Sequence, residues 1–498
     1  MRESDAKGLR PTVTTMHRLL AAAILAFAGS APAQLPEPTA VFTWGSAANN
    51  EDAFSSVPLA GGTTAVVSGL YRSTLTVPGP SGNLTLFSTN SSGLEDCFLG
   101  IYRPGRQNFE LIRMTNGNNS QLGPGSMAMA GGDFFFIAAV KDLTFFSFGT
   151  SQQQSYTSVA SSFDPSLSRY SGTGTLRWVR TIQGDLTNLF RAMAEGPDGS
   201  VILTGNSRGT ITLGAGTPTE TALSAFDDFF DWFVCRYDVD GNLQWAIPAS
   251  GALEDKTSTI AKLPNGDFAI GGQFESTLSI GAGTPSARAI SASGGYDNYI
   301  ATVSAEGEVR TAFAFGGDGY DDMKATAVLP DGDLIVSTIT GPALEGPFDM
   351  RFLRIDPLTG TERWAVTFAN TGTEMADSIL YLPDWDRVLL AVQFTQTFDA
   401  GAAGVFTSRG SIDSAVAVMN PETGAIESAF QIGGTGTDEL YHLSRVGETS
   451  ILGTGSFTGT MQIGNGVPNA VSRGGFDAFV ITMALPVAPA PAVGWFLR

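Results

Sequence analysis

Apolar and polar residues alternate along most of this chain in short runs broken by turn residues, as in Leu243, Trp245 and Ile247 or Asp477-Ala478-Phe479-Val480-Ile481. A period of two reads as β-strand. Four such runs recur as a unit. The first alternates small and apolar residues and stops at a turn: Ala192-Met193-Ala194 before Pro197-Asp198-Gly199, Ile260-Ala261 before Pro264-Asn265-Gly266, and Ala325-Thr326-Ala327 before Pro330-Asp331-Gly332. Asp-Gly and Asn-Gly between apolar runs are strong hairpin signals, because both residues tolerate positive φ. The second run follows directly. The third opens on an acid six times, at Asp96, Asp231, Asp297, Asp349, Asp413 and Asp477. The fourth carries a tryptophan and follows turns such as Asp238-Val239-Asp240-Gly241-Asn242.

The tryptophans set the period. Trp178 and Trp245 are 67 residues apart, and Trp44 lies 134 before Trp178. Trp364 continues the series, Thr311 and Ser428 stand at the same place in two further units, and Leu111 fills the remaining gap. Seven repeats of about 53–67 residues, each of four strands, predict an all-β fold: a seven-bladed β-propeller of four-stranded antiparallel blades over residues 34–485. Phe42–Trp44 is a fourth strand with no unit before it, while the last unit has no fourth strand. Pairing of the N-terminal strand with the last blade is expected to close the ring and remove two edges. The second unit, about 113–180, is the least regular, with a Ser-rich insertion near Ser147–Ser171.

The unit resembles the secreted bacterial β-propeller repeat family, the SBBP repeats. The resemblance rests on Gly316-Gly317-Asp318-Gly319-Tyr320-Asp321-Asp322, on Pro330-Asp331-Gly332, and on Asp477-Ala478-Phe479-Val480. It covers about 178–485 well and 41–177 loosely. It implies extracellular architecture and recognition, and it carries over no catalytic residues.

The N-terminus reads as an export signal. His17 and Arg18 precede an apolar run from Leu19 to Ala28, then Ala31-Pro32-Ala33. Residues 1–33 are expected to be a signal peptide, with Met16 as an alternative start, which places the protein outside the cell or in the periplasm. The run is too short to span a bilayer and no other segment replaces it, so no membrane insertion is expected. Residues 486–498 are Pro/Ala-rich and expected to be disordered. At 43% hydrophobic residues the chain can build a large core, and 60 Gly and 33 Phe against 28 Lys+Arg favour strands and turns. A net charge of −20 repels nucleic acid and anionic membranes and attracts cations and basic partners. Cys97 and Cys235 fall in different units, so no disulfide joins them in this reading. A monomer is expected.

The acids carry the candidate chemistry. Asp255, Asp321, Glu374 and Asp438 each lie ten residues after the fourth-strand reference position, with Asp185 and Asp52 in comparable loops. Gathered at one channel mouth, they would form a metal site suited to Ca²⁺, the one cofactor considered. Against that, a residue recurring in nearly every unit serves the unit, and turn acids accept backbone N–H groups. Asp238-Val239-Asp240-Gly241-Asn242 lacks the later ligands of a calcium loop and reads as a turn. The near-repeats Leu213–Pro218, Ile280–Pro285 and Ile463–Pro468 read as turns in long second-to-third-strand excursions (208–230, 275–296, 396–412, 459–476). One excursion concentrates Phe226, Phe229, Phe230 and Trp232, candidates for binding a sugar or a protein, with blade core as the competing explanation. Beyond residue 33 there is one histidine, His442, and Gly205-Asn206-Ser207-Arg208-Gly209 has no helix after its serine, so it reads as a loop. The expectation is a secreted, non-enzymatic binding or scaffolding module for a protein or glycan. The alternative is a glycan-active hydrolase or lyase with a carboxylate pair at the channel mouth.

Overall fold

The computed structural model describes residues 35–45, 50–88, 95–117, 122–158, 162–344, 346–464 and 466–486. The expected signal peptide, and the tail beyond residue 486, lie outside the described residues.

The strands fall into four-stranded antiparallel meanders. In group three, Asn188–Glu195, Val201–Ser207, Asp231–Tyr237 and Leu243–Gly251 pair in chain order. The same arrangement follows the leading strands Asp52–Pro58, Leu122–Ala128, Asp255–Lys262, Tyr320–Val328, Glu374–Leu382 and Asp438–Val446, which open groups one, two, four, five, six and seven. The middle strands are buried on both faces and are accordingly largely apolar, as in Val201–Leu203 of Val201–Ser207 and Ala415–Met419 of Asp413–Met419. Apolar clusters fill the space between neighbours: Phe135, Phe233 and Tyr237 with Trp178 between groups two and three, and Trp232, Ile247, Phe274 and Tyr299 between groups three and four.

The expectation of a closed seven-bladed propeller is corrected by the hydrogen bonding. No sheet is closed by hydrogen bonds; the strand orders run from one edge to another. Glu37–Trp44 does pair with Asp477–Ala484, from Glu37 opposite Ala484 to Trp44 opposite Ala478. It is nevertheless the outer edge of a four-stranded sheet whose other edge is Asp438–Val446, so it lengthens an open sheet. The reason is directional. Ladder hydrogen bonds lie in the plane of a sheet, whereas most groups meet their neighbours face to face, where side chains and not backbone groups point outward. Groups three to five are the partial exception, joined into one twelve-stranded sheet largely through the long strands Phe268–Ile280 and Arg288–Val303. The architecture is an all-β arrangement of sheets resembling propeller blades.

Side-chain ties replace the missing ladders. The indole N–H of Trp178 donates to the Val239 carbonyl at 3.0 Å, that of Trp245 to Ala305 at 2.9 Å, and that of Trp364 to Pro421 at 3.0 Å. Each acceptor lies in the turn between third and fourth strands of the next group. Where the repeat has Thr311 instead, its hydroxyl reaches the equivalent carbonyl, Pro357, at 3.0 Å. The turn must be flat where the ring lies on it. Gly424 (φ +70°) shows why it is glycine, since a Cβ there would sit 2.6 Å from the Trp364 ring.

The leading strands carry a second recurring feature. Each has a bulge that leaves one residue unpaired with the second strand: Phe54, Arg191, Ser258, Lys324, Asp377 and Tyr441 in groups one, three, four, five, six and seven. In group two the irregularity falls between Leu122 and Gly125.

The excursions include hairpins, Thr210–Leu213 with Thr221–Ser224 and Thr397–Asp399 with Val405–Thr407, and the segment after Leu213 is the turn of the first, as expected. The Ser-rich insertion of unit two forms Leu143–Phe146 and Gln154–Thr157, which pair with each other and add to the last strand of group one. Gly205 and Ser207 belong to a strand, with a tight turn at Gly209, so the Gly-x-Ser-x-Gly segment is strand and turn where a loop is expected from the sequence. Among the described residues no helix is long and apolar enough to cross a membrane.

Candidate binding surface

The loops at one end of group three present apolar side chains on a hydrogen-bonded frame. The Phe226 N–H donates to Asp231 Oδ2 at 2.6 Å and the Phe229 N–H to Asp227 Oδ1 at 2.9 Å. Asp227 also accepts the Leu253 N–H at 3.0 Å, which ties this loop to the connection into group four. On the other side Ala225 donates to the Gly209 carbonyl at 2.8 Å, and a Cβ on Gly209 would lie 3.2 Å from Leu186. Phe226 is 72% exposed and Phe229 46%, with Leu186 and Leu253 exposed beside them. Phe230 is half-buried, and the Lys256 ammonium stands 5.5 Å from its ring centre. Trp232 belongs elsewhere: at 1% exposure it stacks on Tyr299 in the core, ring centres 5.2 Å apart. Of the four aromatics in this excursion, three therefore share the surface. Leu186 and Leu253, which join them, are single leucines in polar loops and give no sequence signal.

Asp255, Asp321, Glu374 and Asp438 are buried, each beside the opening acid of the preceding group's third strand: Asp231, Asp297, Asp349 and Asp413 respectively. Among the described residues no three His, Cys, Asp or Glu side chains gather as a metal-binding group. Several of the carboxylates are occupied with backbone, though not those of Asp255 and Glu374. Asp231 accepts Gly251 N–H as well as Phe226 N–H, Asp413 accepts Arg409 N–H, Asp477 accepts Arg473 N–H, and Asp438 accepts Gly434 N–H at 2.7 Å. A glycine at the end of the fourth strand makes room for the acid, since a Cβ on Gly433 would come within 2.2 Å of the Asp413 carboxyl carbon.

Burial raises several of these acids. Desolvation, with the Asp231 charge beside it, pushes Asp255 up to about 9, and burial takes Asp96, Glu374 and Asp438 to about 7.

Three positions of the series differ from the sequence reading. A seventh third-strand acid is Asp164, which accepts the Tyr156 hydroxyl at 2.7 Å and Gly184 N–H at 3.1 Å. The leading-strand positions equivalent to Asp255 are Glu51 and Asn188, not Asp52 and Asp185. Their N–H groups donate to Phe476 and Phe163, as that of Asp255 donates to Phe230. Asp238 caps its own turn, accepting from the N–H groups of Asp240 and Asn242 at 2.9 and 2.8 Å. His442 is packed in its leading strand, where Ser56 N–H donates to Nδ1 at 3.4 Å and burial pushes the ring down to about 4.

A polar pocket of about 210 Å³ opens between the leading strands of groups three, four and five, with Arg191, Ser258, Gln273, Tyr320 and Asp322 in its walls.

No family model matches the chain. Over 202 residues it is 27% identical to the regulatory protein FlaEY of Caulobacter vibrioides, a match spanning 40% of this chain and 20% of that protein's length. Among solved structures it is similar to a protein of unknown function from Dyadobacter fermentans, with a TM-score of 0.40 at 11% identity over 90% of this chain and 98% of that one. It is also similar to the Dos1 propeller, with a TM-score of 0.42 at 8% identity over 90% and 96%.

Proposed function

We propose that this chain is an exported, non-enzymatic binding module whose ligand, a glycan or a protein, docks on the group-three loops. The observation that carries this reading is the exposure of Phe226 and Phe229 beside Leu186 and Leu253 on loops already fixed by Asp227 and Asp231. Exposed aromatics held on a rigid frame bind with little ordering cost, and phenyl faces suit the apolar faces of sugars or a partner's side chains. The carboxyl pairs serve the architecture in this reading, because Asp231, Asp413 and Asp438 accept backbone N–H groups at the joints between groups and the pairing recurs along the chain. A glycan array probed with the labelled full chain tests the proposal. Saturable binding to at least one glycan is expected, weakened tenfold or more by the double change Phe226→Ser and Phe229→Ser at an unaltered melting temperature. Binding that the double variant leaves intact would place the ligand elsewhere.

A further inference from the structure

The bulges aim one side chain per leading strand out of the ladder, and these side chains meet. Phe54 of group one and Tyr441 of group seven have ring centres 5.4 Å apart. Lys324 of group five bonds Asp322 at 2.6 Å and acts electrostatically on Asp377 of group six. Bulges commonly re-aim side chains beside functional sites. Two of the three charges so placed are already matched: Lys324 by Asp322, and Asp377 by the Gln393 amide at 3.0 Å.

Arg191 is different. It stands in the 210 Å³ pocket with no hydrogen bond or ion pair among the described residues, water-exposed yet desolvated enough by its surroundings to lower its pKa. The groups around it are a second cation, Lys256, which Glu254 matches, and neutral hydrogen-bonding groups: the Ser258 hydroxyl, the Asn206 amide, and a Tyr320 hydroxyl that donates to Gln273 Oε1 at 3.0 Å and leaves the Gln273 amide N–H₂ to donate. Asp322 is the single acceptor carboxylate in the wall.

Asp322 acts on Arg191 electrostatically without a direct contact, and a guanidinium whose N–H groups are not engaged presents a planar fork that fits a carboxylate. Neutral donors together with one acceptor around it fit hydroxyls. The volume admits one small molecule. We propose that this pocket binds a small hydroxylated carboxylic acid of monosaccharide size, such as a uronic acid, with its carboxylate on Arg191 and its hydroxyls on Ser258, Gln273 and Asp322. The pocket adjoins the loop surface at Lys256, which lines it and stands over the Phe230 ring, but none of the proposed contacts uses Phe226 or Phe229.

Titration calorimetry of the full chain with D-glucuronate tests it, with D-glucose and inorganic phosphate as controls. Saturable heat is expected with glucuronate, and at least tenfold weaker binding with glucose. Arg191→Met should weaken glucuronate binding at least tenfold, Arg191→Lys less, and Ser258→Ala measurably. Phe226→Ser with Phe229→Ser should leave it unchanged. Phosphate binding as tightly as glucuronate would overturn the hydroxy-acid assignment in favour of a plain anion site. Absence of heat with glucuronate, or binding indifferent to both Arg191→Met and Ser258→Ala, would overturn the site itself.

Discussion

Single residues decide how this molecule responds to pH. Asp255, raised to about 9, and Asp96, Glu374 and Asp438, raised to about 7, hold protons more tightly in the folded state than in the unfolded chain. Their stabilisation is therefore complete below about pH 4, near the unfolded carboxyl values, and is lost as pH rises through 7 and then 9. His442 works at the other end. Its ring is held neutral with a pKa of about 4, so its contribution is present above 6.5 and is lost as pH falls through 4. The melting temperature is expected to be several degrees higher near pH 6 than near pH 9. Asp255→Asn, which imitates the protonated acid, should flatten part of the alkaline fall; an unchanged slope in thermal scans would clear the Asp231–Asp255 pair of that role. Much of this was legible in the sequence as recurring acids, but not all of it. Asp164 gives a weaker signal because Pro165 follows it and Ser166 stands where Asp96, Asp231, Asp297 and Asp477 have an aromatic residue two positions on. Phe226 and Trp232 look alike in sequence, and only the point where the loop becomes strand at Asp231 sends one outward and the other into the core.

Strands were the most readable level, because each Pro-Asp-Gly or Asn-Gly turn marks a hairpin and each apolar alternation has a face to bury. What the pattern could not reveal was how strands tie to the next group. The Trp245 indole N–H spans to the Ala305 carbonyl, a hydrogen bond between residues 60 apart, and Thr311 performs the same task with a far smaller side chain. Trp245→Phe keeps most of the ring but removes one of two donors to that carbonyl, which Arg236 Nη1 also reaches at 3.1 Å, and a loss of about 1 kcal/mol is expected in chemical denaturation. Thr311→Val, nearly the same shape, should cost about 1 kcal/mol at its own joint. A variant pair with no measurable loss would show that ring and methyl packing, not the hydrogen bond, make the tie. The bulges were equally hidden, since one extra residue in a strand of small side chains shifts the alternation without breaking it.

For the whole molecule, residue spacing shows that a unit recurs but not whether hydrogen bonds pass from one unit to the next, and here the expected closure failed. Open sheets leave edges that need protection. Glu37–Trp44 covers Asp477–Ala484, and Trp44, 1% exposed, sits in the core cluster with Phe98 and Phe109. A chain beginning at residue 46 should lose about 3–5 kcal/mol from the tryptophan alone. It should also associate through the bared strand, which light scattering across a concentration series would detect; a monomeric, equally stable truncation would contradict this. The bulges have a different consequence. A residue that pairs with nothing on the neighbouring strand can change identity without disturbing the ladder, and Phe54, Arg191, Ser258, Lys324, Asp377 and Tyr441 already include aromatic, cationic, hydroxyl and anionic choices. Like movable type set in a fixed frame, these positions let a lineage or an engineer compose a new recognition message one letter at a time while the frame stays as it is.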